Sequence, residues 1–360
     1  MIRAHQHELA QSRPTEHPRS PATGAIARWP SDLPLAAILH GSRPILAIPA
    51  DPTPITSAAD CRAALDQVDQ LDGGPQSPTV GVLPYDLGRL IEPAASRRDD
   101  TQAPIGWFAR CPAAWQWLDD DWHWIGSGPA RPLPRADSSA DALAGSLGPM
   151  RSAMGRAAYT QAVARAVELI HAGDAFQVNL SHELVGAATG SPRAIFAALA
   201  QHALPAEGMY LEHRRDDDTH ALCSLSPELF LEVDLASRVV RTEPMKGTRP
   251  GTGDPAELEA SSKDAAELAM ITDLMRNDLG RVCRFGSIAV ERERDIRAHA
   301  TGLGAVLQAT SVVRGTLREG VTLGSLIDAT FPPGSITGAP KIRAMQIIDE
   351  LEPSPRGVYC

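Results

Sequence analysis

The sequence predicts an α+β fold, on three observations. Strand-like and helix-like stretches are mixed without a βαβ rhythm, which argues against a doubly wound parallel sheet. The segment LSPELFLEVDLASRVVRTEPMKGT (225–248) reads as two strands around a turn near Leu235 to Ser237. The segment from Ser262 to about Cys283 reads as one long helix, with Leu268, Ile271, Met275, Leu279 and Val282 as its buried stripe.

Taken in order, the chain starts with a polar, proline-bearing stretch without the apolar core of a signal peptide. Residues 1–25 are expected to form a disordered tail. All six tryptophans lie before residue 125, in a portion spanning 26–150 that ends in a linker-like run, PLPRADSSADALAGSLGPM (132–150). Aromatic clusters of this kind are ordinarily packing. From 151 to 360 the pattern is clearer. Tyr159, Val163, Val167 and Ile170 recur at helical spacing before Gly173, a natural helix end. AFQVNLSHELV then reads as a strand, with Phe176, Val178 and Leu180 on one face. Further strands fall near 208–213, 220–225, 229–234 and 238–243. Ser262 is the expected N-cap of the long helix. Pro340 is expected at the first position of a last helix, KIRAMQIIDELE.

Hydrophobic residues make up 43% of the 360, enough for a sizeable core. Lys plus Arg number 34 and Asp plus Glu 44, a net charge of −10, with no basic run; this argues against a nucleic-acid partner. The five cysteines are scattered without metal-site spacing, which argues against a disulfide framework or a metal cluster. No apolar run is long enough for a bilayer, so a soluble cytoplasmic protein is expected.

Three stretches could carry chemistry. Closing the 225–248 hairpin brings Glu228 and Lys246 to one open end, a carboxyl facing an amine; an exposed ion pair is the plainer explanation of that spacing. In FPPGSITGAPK (331–341), small residues precede a helix start, where backbone N–H groups at Gly338 and Ala339 suit an anion. Asp264 and Glu267 are three apart and project from one side of the long helix. Such carboxylates usually sit in water, but a Mg²⁺ site needs oxygens of this kind.

Together GDAFQVNLS (173–181), SLSPELFLEV (224–233), EPMKGTRPG (243–251), SSKDAAELAMITDLMRNDLGRV (261–282) and FPPGSITGAPKIRAMQIIDELEPSPRGVYC (331–360) resemble the chorismate-utilising enzymes, most closely component I of the aminodeoxychorismate synthases. The resemblance implies two antiparallel sheets packed face to face with helices outside and a cleft at one side. It implies that Lys246 attacks C2 of chorismate while Glu228 protonates the departing C4 hydroxyl, after which ammonia enters at C4 to give 4-amino-4-deoxychorismate, a precursor for p-aminobenzoate and folate. It further implies that Glu267, with Asp264 more weakly, holds Mg²⁺. Gly247, Thr248, Gln308, Ser335, Thr337, Gly338 and Ala339 would contact substrate. Gln177 stands where relatives that add water place a lysine base. A separate glutamine amidotransferase subunit would supply ammonia, since no Gly-x-Cys-x-Gly turn is present.

The sequence departs from the family pattern at three places. Gln308 replaces a histidine, Glu243 replaces an arginine, and the family's further strands and final helix would lie beyond Cys360. The catalytic portion is therefore expected to be incomplete. Anthranilate synthase component I, which usually carries alanine where Lys246 stands, is one alternative. A truncated, non-catalytic protein that binds chorismate or the partner is the other.

Overall fold

The local chemistry of the 225–248 segment sets the first sheet. Leu231–Asp234 and Val239–Thr242 pair antiparallel with Val233 opposite Val240. Asp234 closes the turn between them, its Oδ1 accepting from the backbone N–H groups of Ala236 (2.9 Å) and Ser237 (3.2 Å). Gly304–Thr316 pairs with Val239–Thr242 and Met245–Pro250 along one edge and with Ala289–Thr301 along the other. Leu231, Val233, Val240 and Val313 turn to one face and bury against Ile271, Met275 and Leu279 of the helix Ser262–Gly280. The stripe expected from the sequence is thus the buried one, with Leu268 and Val282 also enclosed. Ser261, not Ser262, is the N-cap, and its Oγ accepts from the N–H of Asp264 at 3.2 Å. The helix closes at Gly280, three residues short of the expected end.

The computed structural model describes residues 2–5, 21–69, 77–96, 106–137, 144–215, 218–301 and 304–360. Within them a second six-stranded sheet runs Asp218–Ser226, Glu207–Arg215, Ala36–His40, Ile45–Ile48, Ala113–Leu118, Asp121–Trp124. It draws strands from both sides of residue 150. One face packs on a three-stranded sheet through Ala36, Ala47 and Leu211 against Val80, Val82 and Ala109. The other face holds Trp115, which meets Trp29 and Trp124 edge-on with ring centroids 5.9 and 5.2 Å apart; these tryptophans are packing. Among the described residues every strand pairing is antiparallel except that of Ile2–His5 with Leu231–Asp234. The fold is α+β, as expected. No helix among the described residues is long and apolar enough to cross a membrane. All five cysteines are free.

Several expectations need correction. Most of the expected tail lies outside the described residues, but Ile2–His5 is a strand and Pro21–Ala27 a helix. Residues 138–143 of the expected linker also lie outside them; Gly145–Leu147 is a strand paired with Ala188–Gly190. The helix Arg156–His171 buries Ala162, Ala166 and Leu169 and leaves Val163 and Val167 exposed, so its inner face is rotated from the predicted stripe. Phe176 is 76% exposed, and the expected strand there shrinks to Gln177–Val178 and Leu184–Val185. Pro340 is the N-cap of the helix Lys341–Leu351 rather than its first residue.

Candidate active site

Ser335 lies in the single helical turn Gly334–Ile336, between the helix Leu323–Thr330 and the start of Lys341–Leu351. Its hydroxyl donates to Glu228 Oε1 at 2.5 Å, and its carbonyl accepts from Lys246 Nζ at 2.7 Å. One residue therefore bridges the carboxyl and the amine that the hairpin was expected to bring together. Glu228 leaves the 218–226 strand through a turn in which Ser226 Oγ donates to its carbonyl at 3.1 Å. Burial pushes the Glu228 carboxyl above the ordinary glutamate range, although the Ser335 bond and the Lys246 charge pull it back. Burial likewise lowers Lys246, while Glu228 and Glu267 pull it upward. Each group is shifted toward its neutral form, the combination that suits a proton donor beside an amine nucleophile.

Lys246 pairs with Ala309 in register, and a β-bulge at Gly247 separates it from Thr248, which pairs with Gln308. Gly247 takes φ +72, and a Cβ there would stand 2.8 Å from Leu258 Cδ1 and 3.0 Å from Asp264 Cγ. Gly247→Ala is expected to lower unfolding free energy by about 1–3 kcal/mol, read from the denaturation midpoint. Thr248 is exposed. Leu307 and Ala309 enter one buried cluster with Leu258 and Leu268, so strand alternation turns half-buried Gln308 to the opposite face, beside Arg297 in register. The register thereby sets Gln308 apart from the Lys246–Glu228–Ser335 group. Arg297 also accounts for the Glu243 replacement, its Nη1 donating to Glu243 Oε2 at 2.9 Å across the sheet.

The two helical carboxylates differ. Asp264 is buried and accepts from Arg249 Nη2 at 2.7 Å, so its charge is already matched. Glu267 is half-buried, within 3.6 Å of the exposed Lys263 ammonium and close enough to influence Lys246. Among the described residues no group of three His, Cys, Asp or Glu could hold a metal. Glu267 alone fits as a Mg²⁺ ligand, since this ion is commonly held by one or two carboxylates with substrate oxygens and water. Asp264 does not fit.

Thr337 is fully buried, and its hydroxyl donates to Pro333 O at 2.8 Å. Gly338 and Ala339 form a short antiparallel ladder with Gln177–Val178. A Cβ on Gly338 would lie 2.2 Å from the Gln177 carbonyl, so the approach requires glycine. Gln177 Oε1 is buried and has no hydrogen-bond partner among the described residues.

Two buried cations near this loop escaped the sequence reading. Lys341 Nζ bonds Asp278 Oδ2 and the Thr330 carbonyl, tying both ends of the 331–340 loop to the long helix. A cation in the first turn of a helix opposes the helix dipole, and that misfit is the signal that could have flagged a partner. Arg356 forks onto Glu352 and reaches the Ile336 and Asn179 carbonyls; nothing local in the sequence marked it.

An acid, an amine and a small-residue loop at a helix start thus meet at one place. Residues 37–360 match the profile of the chorismate binding enzymes, and the chain belongs to that family. Over 211 residues it is 42% identical to anthranilate synthase component 1 of Streptomyces coelicolor, covering 56% of this chain and 39% of that protein. Over 217 residues it is 38% identical to aminodeoxychorismate synthase component 1 of Escherichia coli, covering 58% and 46%. The chain spans less than half the length of these curated relatives. Relatives of both names match at comparable identity, so kinship defines the chorismate-binding class and not the product. Anthranilate synthase component I from Streptococcus pneumoniae superposes with a TM-score of 0.70 over 98% of this chain and 82% of that one; at 22% identity this speaks for the fold alone.

Proposed function

We propose that this chain aminates chorismate to 4-amino-4-deoxychorismate. The observation that carries the reading is the half-buried Lys246, held by the Ser335 carbonyl beside Glu228. Lys246 Nζ forms a bond to ring C2 as the C4–oxygen bond breaks, and Glu228 gives its proton to the leaving hydroxyl. The attacking amine sheds a proton to solvent. Ammonia then bonds to C4 as the C2–nitrogen bond to Lys246 breaks; the proton that the new C4 ammonium gives up goes to the departing lysine nitrogen, and Glu228 takes back from solvent the proton shed there, which restores both groups. Ser335 aligns both protein groups, and the 335–339 loop receives a substrate carboxylate. Glu267 is the residue that would hold Mg²⁺, which when bound offsets the negative charge of a substrate carboxylate. Ammonia would come from a glutamine amidotransferase subunit.

The alternative product is anthranilate, favoured by the 42% identity to the Streptomyces relative. Incubation of the chain with chorismate, Mg²⁺ and excess ammonium at mildly alkaline pH, followed by chromatography, separates the readings. 4-Amino-4-deoxychorismate is expected. Anthranilate overturns the proposal in favour of the alternative, and chorismate bound by folded protein without turnover overturns both.

A further inference from the structure

Arg356 lies outside the reacting group, yet its side chain is 2% exposed and all its charge is directed inward. Nε and Nη2 donate to the two oxygens of Glu352 at 2.9 and 2.7 Å. Nη1 donates to Ile336 O at 2.7 Å and Nη2 to Asn179 O at 2.6 Å. The guanidinium lies over the Tyr85 ring, 4.5 Å from its centroid. Glu352 Oε1 also accepts from the Ser181 N–H at 2.8 Å and hydroxyl at 3.0 Å. Asn179 in turn bonds the loop twice, its N–H donating to Thr337 O at 3.0 Å and its Nδ2 to Ser335 O at 3.4 Å. The guanidinium thus grips the residue after Ser335 and the strand segment stitched to either side of it.

Simple burial does not require such a group. Replacing a buried ion pair by apolar residues of similar volume is often neutral or stabilising. What an apolar residue cannot do is fix two carbonyls and a carboxylate in one plane. We propose that Arg356 is a positioning residue: by holding Ile336 and Asn179 it fixes the carbonyl and hydroxyl of Ser335 where they meet Lys246 and Glu228. The inference rests on the reading of Lys246 and Glu228 as the reacting pair, but its test does not depend on turnover.

The chain has three lysines: Lys246, Lys263 and Lys341. Lys263 is exposed and serves as the internal reference; Lys341 is buried on Asp278, outside the Arg356 network. Glu228 and Glu267 are the titratable groups acting on Lys246. The full chain is labelled with trace acetic anhydride across a pH series, and each lysine is quantified by mass spectrometry. In the parent, Lys246 is expected to become reactive below the ordinary lysine range. In Arg356→Met the loosened loop admits water beside Lys246 and relieves its burial, the largest influence on it. Its midpoint is expected to rise by about one pH unit, with Lys263 and Lys341 unchanged. Arg356→Lys keeps the cation but reaches fewer acceptors, so a smaller rise is expected. An unchanged Lys246 midpoint in either folded variant overturns the proposal, as does an equal rise at Lys341, which marks general loosening. Should Arg356→Met fail to fold, Arg356→Lys decides by the same criterion. A chain that shows the shift but makes no product sinks the amination reading and leaves the positioning role standing.

Discussion

Lys246→Ala is expected to lower the rate of chorismate amination at saturating ammonium by at least about 10³-fold, equivalent to roughly 4 kcal/mol of transition-state stabilisation. The variant removes the Lys246 amine from beside Glu228 and leaves the Ser335 carbonyl with the longer bond from Asn179 Nδ2, at 3.4 Å. Ammonia would then have to displace the hydroxyl without the covalent step that divides one hard displacement into two. Rapid-quench or steady-state chromatography of product in both proteins measures the ratio, and a loss under tenfold would remove Lys246 from the chemistry. The pH profile gives an independent check on sign. Lys246 must be neutral, and burial lowers it, so the rising limb falls below the ordinary lysine value of about 10.4. Glu228 must be protonated, and burial raises it, so the falling limb lies above the ordinary glutamate value of about 4.3. The two shifts bring the two values toward each other, which raises the fraction of molecules in which both groups are neutral. Glu228→Gln is expected to abolish the falling limb and to cost about 10²–10⁴-fold in rate.

What could be read from the sequence was what short-range pattern encodes. The long helix is legible because Leu268, Ile271, Met275 and Leu279 repeat at helical spacing and are all buried. The 231–242 hairpin is legible because turn residues separate two alternating stretches. These two elements also set Glu228, Lys246 and Glu267 near one another. The pattern misleads where small residues do the packing. On the helix Arg156–His171, alanines 162 and 166 meet the core and the valines point outward, because close approach to a neighbour favours the smallest side chains. Partnerships across long separations left no trace: Ser335 with Glu228 is 107 residues apart and Arg356 with Asn179 is 177. Gln308 was placed in the site by alignment of motifs, whereas alternation along its strand faces it the other way.

The largest expected effect on stability comes from the pair that ties the loop to the long helix. Asp278 and Lys341 are 7% and 13% exposed, and each is shifted toward its neutral form by burial despite the partner's charge. Water has been removed from both ions, and their attraction only offsets that cost. Asp278→Ala leaves the Lys341 ammonium enclosed, with the Thr330 carbonyl as its remaining partner. The expected loss is about 3–5 kcal/mol of unfolding free energy, the range for breaking one side of a buried ion pair. Lys341→Met with Asp278→Leu removes both charges together and is expected to be within about 1 kcal/mol of the parent or more stable. Guanidinium unfolding of the three proteins measures this, and a single variant as stable as the parent would show that the pair is not enclosed. The double variant also separates folding from positioning. It fills the space but gives up the bond from Lys341 to Thr330 that closes the loop holding Ser335. A double variant that is stable yet aminates chorismate at least about tenfold more slowly would show that the pair is kept for the placement of Ser335 rather than for the free energy of folding. Tenfold corresponds to about 1.4 kcal/mol in the barrier, and a rate equal to the parent's would assign the pair to folding alone.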